Sequence, residues 1–244
     1  MPSRLVLSWY FVAILLLAGG PALGAGPDAA RWQAVLVAGD NAQPVFDNAV
    51  EALARWLADR GVPAADIHRL SASETPRDPA VEPATAKQIL PRIASLRPLP
   101  GERCLIFITS HGQRGEGIWL ARSGEHLGPA SLARALSAGC AAAPTVVILS
   151  ACYSGAFAVG AMRARNRIIL SAARADRPSF GCQADRTYTV FDECLLAALP
   201  RAPTWRAVKA ASLRCVKARE RRLSVVPSQP QASFGAAVRD LSVR

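Results

Sequence analysis

CLIFITSHG, residues 104–112, and TVVILSACYSG, residues 145–155, are the two stretches of this sequence that decide its fold. Each begins with a run of apolar, mostly β-branched residues and ends in small or polar ones, which is typical of a strand covered on both faces. The first run delivers His111 and the second delivers Cys152. Because sites in parallel sheets form beyond the carboxyl ends of the strands, neighbouring strands would bring these two side chains to one edge.

Strand-like and helix-like segments alternate along the rest of the chain. The strand pattern is found at Trp32–Ala38, Ile67–Leu70, Cys104–Thr109, Thr145–Ala151 and Arg167–Ala172. A helical face of Phe46, Val50, Leu53, Ala54 and Leu57 ends at Gly61. Further helical patterns cover Ala84–Leu96, which Pro91 could kink or split, Pro129–Ala138, Glu193–Leu199 and Trp205–Arg222. The alternation predicts an α/β fold with a mostly parallel sheet and helices on both faces.

The N-terminus has the pattern of a secretory signal peptide. Arg4 precedes an apolar run from Leu5 to about Ala18, and the small residues of Ala22–Ala25 resemble a cleavage site. We therefore assign residues 1–24 to a leader and residues 25–244 to a single domain, exported to the periplasm or secreted. The alternative is an uncleaved anchor, although the run is shorter than the ~20 residues that a membrane span needs.

The composition favours a basic protein without an obvious nucleic-acid motif. Lys and Arg number 29 against 18 Asp and Glu, which gives a formal net charge of +11. Such a charge favours nucleic acid, anionic lipid or acidic substrates. The basic residues are scattered, apart from a late cluster that we interpret as the solvated face of a helix. We expect no nucleic-acid partner and no stable membrane insertion after removal of the leader; the oligomeric state is left open.

The six cysteines are Cys104, Cys140, Cys152, Cys182, Cys194 and Cys215. An even number in an exported protein suggests disulfides. If Cys152 stays free to react, at most two bridges form, and the sequence leaves their pairing open. None of the cysteines has the spacing of a structural zinc site. No cofactor or metal is expected.

His111 and Cys152 together predict nucleophilic catalysis by a thiol. An imidazole beside a thiol removes its proton and makes it a good nucleophile. Gly112 presents its N–H without a side chain in the way, so the N–H groups of Gly112 and Cys152 are candidates for an oxyanion hole. Taken singly, Cys152 is better interpreted as an inert buried thiol and His111 as a structural histidine; the pairing favours catalysis. Serine hydrolysis is the rival chemistry, but no G-x-S-x-G elbow is present.

The segments FITSHG and VVILSACYSGAF resemble the His-Gly and (E/S)-A-C-x-S-G motifs of the legumain-like cysteine peptidases, peptidase family C13. VLVAGDNAQPVFDNAV, SAARADRPSFGC and TVFDECL resemble bacterial members of that family. The resemblance implies a caspase-like three-layer sandwich with a sheet of about six strands. It also implies metal-independent endopeptidase activity on peptides or proteins through a His111–Cys152 dyad and a thioester, with acyl transfer to another amine as a variant.

The same resemblance implies a substrate pocket formed by Asp47, Ser150, Ser179 and Asp192. Asp47 stands where legumain-type enzymes have an Arg, and Ser150 replaces their Glu. Two carboxylates, Asp47 and Asp192, would favour a basic P1 residue if both face the pocket. Alternatively, Asp47 bonds only to its neighbours and never contacts substrate.

Two points stay open in the sequence. Asn41 or Asn48 could orient the imidazole of His111, although the Asn of the family aligns with Val45. The alternative function is a caspase-like binding or scaffold protein of the cell envelope that has lost turnover. Retention of His111, Gly112, Cys152 and Gly155 argues against that alternative.

Overall fold

The computed structural model describes Met1 and residues 31–243, so the predicted leader lies, apart from Met1, outside the described residues. The strands are β1 (Trp32–Ala38), β2 (Ile67–Ser71), β3 (Glu82–Pro83), β4 (Arg103–Thr109), β5 (Gly112–Gln113), β6 (Gly117–Leu120), β7 (Glu125–Leu127), β8 (Thr145–Ser150), β9 (Arg167–Ser171) and β10 (Gln231–Phe234). The helices are α1 (Val45–Ala58), α2 (Ala86–Ala94), α3 (Pro129–Gly139), α4 (Val190–Ala198) and α5 (Trp205–Leu223).

The main sheet has seven strands in the order β10-β9-β8-β4-β1-β2-β3. Only β10 runs antiparallel to its neighbour, and the other pairs are parallel. A second, antiparallel sheet is formed by β5, β6 and β7. The predicted α/β fold with a mostly parallel sheet is confirmed, with seven strands where about six were expected.

The two faces of the sheet bury separate apolar layers. Successive residues of a strand point to opposite faces, so Leu36 packs into the layer formed with α1, α4 and α5, whereas Val37 packs into the layer formed with α2 and α3. All the apolar side chains of the central strands β1, β4 and β8 are buried. This is the arrangement that continuous apolar runs require, because neither face can be left in water.

Two disulfides stabilise the helices against the sheet and against each other. Cys104 at the start of β4 is bonded to Cys140 at the end of α3, and Cys194 of α4 is bonded to Cys215 of α5. Cys152 and Cys182 are free. Two bridges are the most that the sequence allowed with Cys152 unpaired.

Within the described residues, no helix combines the length and the apolar character that a bilayer crossing needs.

Candidate active site

The ends of β4 and β8 meet at one edge of the sheet. The two strands are parallel neighbours in a register that pairs Thr109 with Ser150, and the N–H of Ser110 donates to the carbonyl of Ser150 at 3.1 Å. His111 and Cys152 follow two residues after this pair, so they leave the sheet at the same level. The structure thus brings together the two side chains on which the sequence interpretation depends.

Gly112 is required by the close approach of these two strand ends. A Cβ at this position would lie 2.2 Å from the carbonyl oxygen of Cys152, far inside van der Waals contact. Gly112 faces Ile118 in the small sheet, while the carbonyl of His111 accepts from the N–H of Trp119 at 3.0 Å. This register makes Gly112 a non-hydrogen-bonded position, so its N–H points away from β6.

A sharp turn follows the nucleophile candidate. Tyr153 has a φ of 60°, a left-handed conformation that is uncommon for a residue with a side chain. Its N–H donates to the carbonyl of Arg177 at 2.9 Å, and a Cβ on Gly155 would lie 2.6 Å from the nitrogen of Ala175. The turn ends β8 abruptly and holds Cys152 at the surface of the strand end. Strained backbone of this kind is concentrated at functional sites.

His111 and Cys152 line the same small cavity, whose volume is about 20 Å³. The walls that bear on the chemistry are His111, Ser150, Cys152, Ser179, Cys182 and Thr189. This volume holds about one water molecule.

The sulfur of Cys152 is held by the backbone of Ser179. The N–H of Ser179 donates to Sγ at 3.2 Å, and the thiol lies 3.5 Å from the carbonyl oxygen of the same residue. Burial raises the pKa of the Cys152 thiol above its usual value, although the contact with Ser179 opposes that effect. The thiol is therefore protonated at rest.

The imidazole of His111 interacts with the thiol of Cys182, which the sequence interpretation had not assigned to the site. This hydrogen-bonding interaction is the main cause that raises the pKa of His111, and burial opposes it. The same interaction lowers the pKa of Cys182. The ring of Phe46 also meets the imidazole edge to face, with the ring centres 5.3 Å apart.

Asp40 is the second site residue that the sequence interpretation missed. Ala38 pairs with Thr109, so Asp40 leaves β1 at the level where His111 leaves β4. Asp40 is buried, one of its oxygens accepts from the N–H of Ala42 at 2.7 Å, and its charge helps to raise the pKa of His111. The rule that found His111 and Cys152, a polar residue two positions after a strand, also applies to Asp40.

The two asparagines considered as orienting groups occupy other places. The amide of Asn48 donates to the carbonyl of Thr187 at 3.0 Å, and Asn48 lines a different cleft. Asn41 is exposed, and Val45 is buried in the apolar layer of α1. We find Asp40, rather than an Asn, level with His111.

Asp192 lies buried in a hydroxyl network next to the cavity. Its carboxylate accepts from the hydroxyl of Thr109 at 2.8 Å, while its N–H donates to the hydroxyl of Thr189 at 3.1 Å. Ser150 lies 3.3 Å from Thr189 and also bonds to Asp192. Burial raises the pKa of Asp192 to about 6, and one carboxyl oxygen has no hydrogen-bond partner. Ser150 and Ser179 therefore line the Cys152 cavity, and Asp192 lies buried behind the lining residues Ser150 and Thr189.

Asp47 lies apart from that group. It lines a neighbouring cleft of about 660 Å³ between α1 and the segment after β2, and it accepts from the hydroxyl of Ser71 at 2.7 Å. Burial raises the pKa of Asp47. The two cavities are close, because Phe46 lines one and Asp47 lines the other. The role of Asp47 in substrate binding stays a prediction.

The serines near Cys152 are structural. Ser150 is engaged by Thr189 and Asp192, and the buried hydroxyl of Ser154 accepts from the N–H of Ala173 at 3.3 Å. Neither hydroxyl has a histidine as hydrogen-bond partner among the described residues. The geometry therefore offers thiol chemistry rather than serine chemistry.

Comparisons with known proteins agree with this arrangement. Residues 94–204, which include both His111 and Cys152, match the model of the Peptidase C13 family. The crystal structure of caspase-1 from Spodoptera frugiperda aligns with a TM-score of 0.60 and 12% identity, covering 85% of this chain and 87% of that chain. At that identity the likeness shows the fold alone. No curated protein sequence matches the chain. The family match agrees with the resemblance to legumain-like peptidases found in the sequence and supports a cysteine peptidase.

Proposed function

We propose that this chain, a Peptidase C13 family protein with a caspase-like fold, is an exported cysteine endopeptidase with Cys152 as nucleophile and His111 as base. The observation that carries the proposal is the register of β4 and β8, which delivers both side chains to one cavity over Gly112. Paired in this way, imidazole and thiol are the components of nucleophilic acyl transfer.

The chemistry proceeds through a thioester. The imidazole of His111 takes the proton of Sγ, and the thiolate attacks the carbonyl carbon of the scissile peptide bond. The N–H groups of Gly112 and Cys152 hold the oxyanion of the tetrahedral intermediate. Its collapse expels the amine, which takes the proton from the imidazolium, and leaves an acyl group on Cys152. Water then releases the product, or a second amine does so in a transpeptidase reaction.

Asp40 supports this cycle by its charge. A buried carboxylate level with His111 stabilises the imidazolium that forms when the thiol is deprotonated. The resting imidazole is engaged by Cys182, so the productive cycle requires it to turn to Cys152 when substrate binds. Catalytic hydrogen bonds often tighten only in the substrate complex.

The disulfides support export. Bridges of this kind persist in oxidising compartments and are rare in the reducing cytosol. Two of them, together with the leader pattern, favour a periplasmic or secreted protein. Sequencing the N-terminus of the protein recovered from its host would test the cleavage predicted after residue 24; an intact residue 1 would favour the uncleaved anchor.

Asp192 supports a preference for a basic P1 side chain. Its carboxyl group, buried behind the lining residues Ser150 and Thr189, has an oxygen without a hydrogen-bond partner, and a guanidinium or ammonium group that reached it would satisfy it. Asp47, in the adjacent cleft, would add a second negative charge. A peptide library cleaved by the purified protein measures this directly, and a preference for Asn over Arg and Lys would contradict it.

The alternative function is a non-catalytic binding or scaffold protein of the cell envelope. One observation favours it: His111 is engaged by Cys182 rather than by Cys152. Such a protein would show a Cys152 thiol with its pKa still raised and no turnover on any peptide pool.

An active-site-directed thiol reagent decides between the two functions. The reagent should label Cys152 in a Cys182→Ser background, where Cys182 cannot compete, and labelling should fall at least about tenfold in His111→Ala. His126→Ala is the matched control, because His126 bonds to Glu116 at 2.9 Å outside the cavity. The peptidase proposal would be contradicted if His111→Ala did not change the labelling of Cys152 and if Cys152→Ala cleaved peptides at the same rate as the parent protein.

A further inference from the structure

The free thiols of the described chain occur together at the active site. Cys104, Cys140, Cys194 and Cys215 are consumed in disulfides, and Cys152 and Cys182 remain. Both line the small cavity that contains His111. The mechanism proposed above uses Cys152 and gives Cys182 no task.

A short loop holds Cys182 near Cys152. The N–H of Ser179 contacts the sulfur of Cys152 at 3.2 Å, and Cys182 follows only three residues later. Gly181 between them has a φ of 99°, and its packing against the nitrogen of Val190 leaves no room for a Cβ. The carbonyl of Phe180 also accepts from that nitrogen at 3.0 Å. These contacts fix the direction in which Cys182 leaves the loop, toward His111.

The two thiols differ in reactivity. The imidazole of His111 favours the thiolate of Cys182 and lowers its pKa, whereas burial raises the pKa of Cys152. The charge of Cys182 also raises the pKa of Cys152. A half-buried thiol beside an imidazole, with a second thiol close to it, has the features of an oxidation-sensitive pair.

We propose that Cys182 is an oxidation site that forms a reversible disulfide with Cys152. The oxidant is hydrogen peroxide. The Cys182 thiolate attacks one peroxide oxygen, the O–O bond breaks, and Cys182 becomes a sulfenic acid while hydroxide leaves and takes up a proton as water. The Cys152 thiol then attacks the sulfenic sulfur, the S–O bond breaks, and the second water leaves. The two thiols lose two electrons, and the peroxide is reduced to two waters.

The consequence for activity depends on the proposed peptidase function. A sulfur in a disulfide cannot attack a peptide, so oxidation switches the enzyme off. A dithiol reductant restores it, because the bond lies at the cavity rather than in the core where the two structural bridges are found. The imidazole would act in both states, assisting Cys182 in oxidation and Cys152 in catalysis.

Mass spectrometry of the purified full chain tests the pairing without reference to peptidase activity. Treatment with hydrogen peroxide should lower the intact mass by two hydrogens and yield a Cys152–Cys182 cross-linked peptide. Chymotrypsin should be the protease, because cleavage after Leu149 and Tyr153 separates Cys152 from Cys140. Peroxide that produces sulfinic acid at either residue, or another pairing, without this peptide would overturn the proposal.

Single substitutions resolve the order of the two steps. In Cys152→Ser, a cyclic diketone should trap a sulfenic acid at Cys182; in Cys182→Ser, trapping at Cys152 should be roughly tenfold slower at neutral pH. Adding His111→Gln to Cys152→Ser should slow trapping at Cys182 by a similar factor, with His126→Gln as the matched control. Faster trapping at Cys152 than at Cys182 would contradict the assignment of Cys182 as the residue that is oxidised first.

Activity measurements then separate the two hypotheses. Both the peptidase function and the disulfide are supported if the reduced protein is active, peroxide inactivates it, and a dithiol restores activity as the cross-link is lost. A cross-link in a protein that never cleaves a peptide contradicts the peptidase and leaves the pairing standing. Reversible inactivation without the cross-link contradicts the pairing and leaves the peptidase standing.

Discussion

Burial disfavours ionisation of the Asp192 carboxyl group and so raises its pKa. Its pKa of about 6 lies above the ordinary value of 3.8, so the folded state prefers the protonated form. The stability that this preference contributes is complete below pH 4 and is lost as the pH rises through about 6. At pH 8 the folded protein carries a buried charge at a cost of about 3 kcal/mol.

Asp192→Asn should therefore gain stability relative to the parent as the pH rises. We expect the difference in unfolding free energy to shift by about 3 kcal/mol in favour of the variant between pH 4 and pH 8. Urea unfolding at the two pH values measures it. The control is Asp185→Asn at an exposed position, which should show no such shift. A difference for Asp192→Asn that is independent of pH would contradict the prediction.

Asp40 should matter for catalysis through the charge that it places level with His111. Asp40→Asn removes a cause of the raised pKa of His111, so the acidic limb of the pH–rate profile should move to lower pH. The maximal kcat should fall by roughly tenfold or more, because the imidazolium loses its stabilising carboxylate. A profile with an unchanged acidic limb, like that expected for Asp185→Asn, would show that Asp40 has only a structural role.

Gly112 is expected to affect both the packing of the two strand ends and catalysis. In Gly112→Ala the new methyl group would meet the carbonyl of Cys152 at 2.2 Å, so the two strand ends must separate. We expect a loss of about 1–3 kcal/mol of stability and at least about a hundredfold loss of kcat/KM. Gly128→Ala is the matched control, since a Cβ there finds its nearest neighbour at 3.7 Å. Equal effects in the two variants would contradict the argument.

At the scale of elements, the apolar runs predicted the centre of the sheet accurately. Every strand predicted from an apolar run is present, with ends that differ by at most one residue. The short strands β3, β5, β6, β7 and β10 were missed. Neither Glu82–Pro83 nor Gln231–Phe234 contains an apolar run, because an edge strand is covered on fewer sides and needs fewer apolar residues. The local pattern of apolar residues indicates which segments are buried. These short strands are instead determined by their pairing with neighbouring strands, which that pattern does not show.

The start of α4 shows a similar limit. The sequence pattern placed it at Glu193, whereas the helix begins at Val190 after Thr189, whose hydroxyl accepts from the N–H of Asp192. That cap also positions Asp192 beneath the site. α2, by contrast, runs from Ala86 to Ala94 as one helix with Pro91 inside it, so the proline does not split it.

The two disulfides should contribute comparably to stability. Each closes a loop, of 21 residues between Cys194 and Cys215 and of 36 residues between Cys104 and Cys140. Loop-closure entropy predicts a loss of about 3 to 4 kcal/mol on replacing either pair by alanine, slightly more for the longer loop. Urea unfolding of the two double variants under oxidising conditions measures this. A negligible loss for either pair would mean that its helix is held by packing alone.

At the scale of the whole molecule, the sequence predicted the fold class, the likeness to the Peptidase C13 family and the meeting of His111 and Cys152 at one edge of the sheet, because strand ends in a parallel sheet follow from local pattern. The catalytic roles of these two residues stay predictions. It did not predict that His111 would be engaged by Cys182. The loop after Ser179 folds back over the site through contacts of Gly181 and Phe180 with α4, and no periodicity in the sequence encodes such a contact.

The net charge leads to a prediction about substrates that no single residue makes. A molecule with a formal charge of +11 attracts anions over several ångströms, so peptides with acidic residues on both sides of the cleaved bond should associate faster. Salt screens this attraction, since the Debye length falls from about 14 Å to about 4 Å between about 0.05 and 0.5 M ionic strength. We expect kcat/KM for an acidic-flanked peptide to fall roughly tenfold over that range.

A peptide with the same P1 residue and neutral flanks is the control, and its kcat/KM should change little, because its encounter with the enzyme is not steered. If kcat/KM fell equally for the two peptides, the positive charge would not attract substrate to the site.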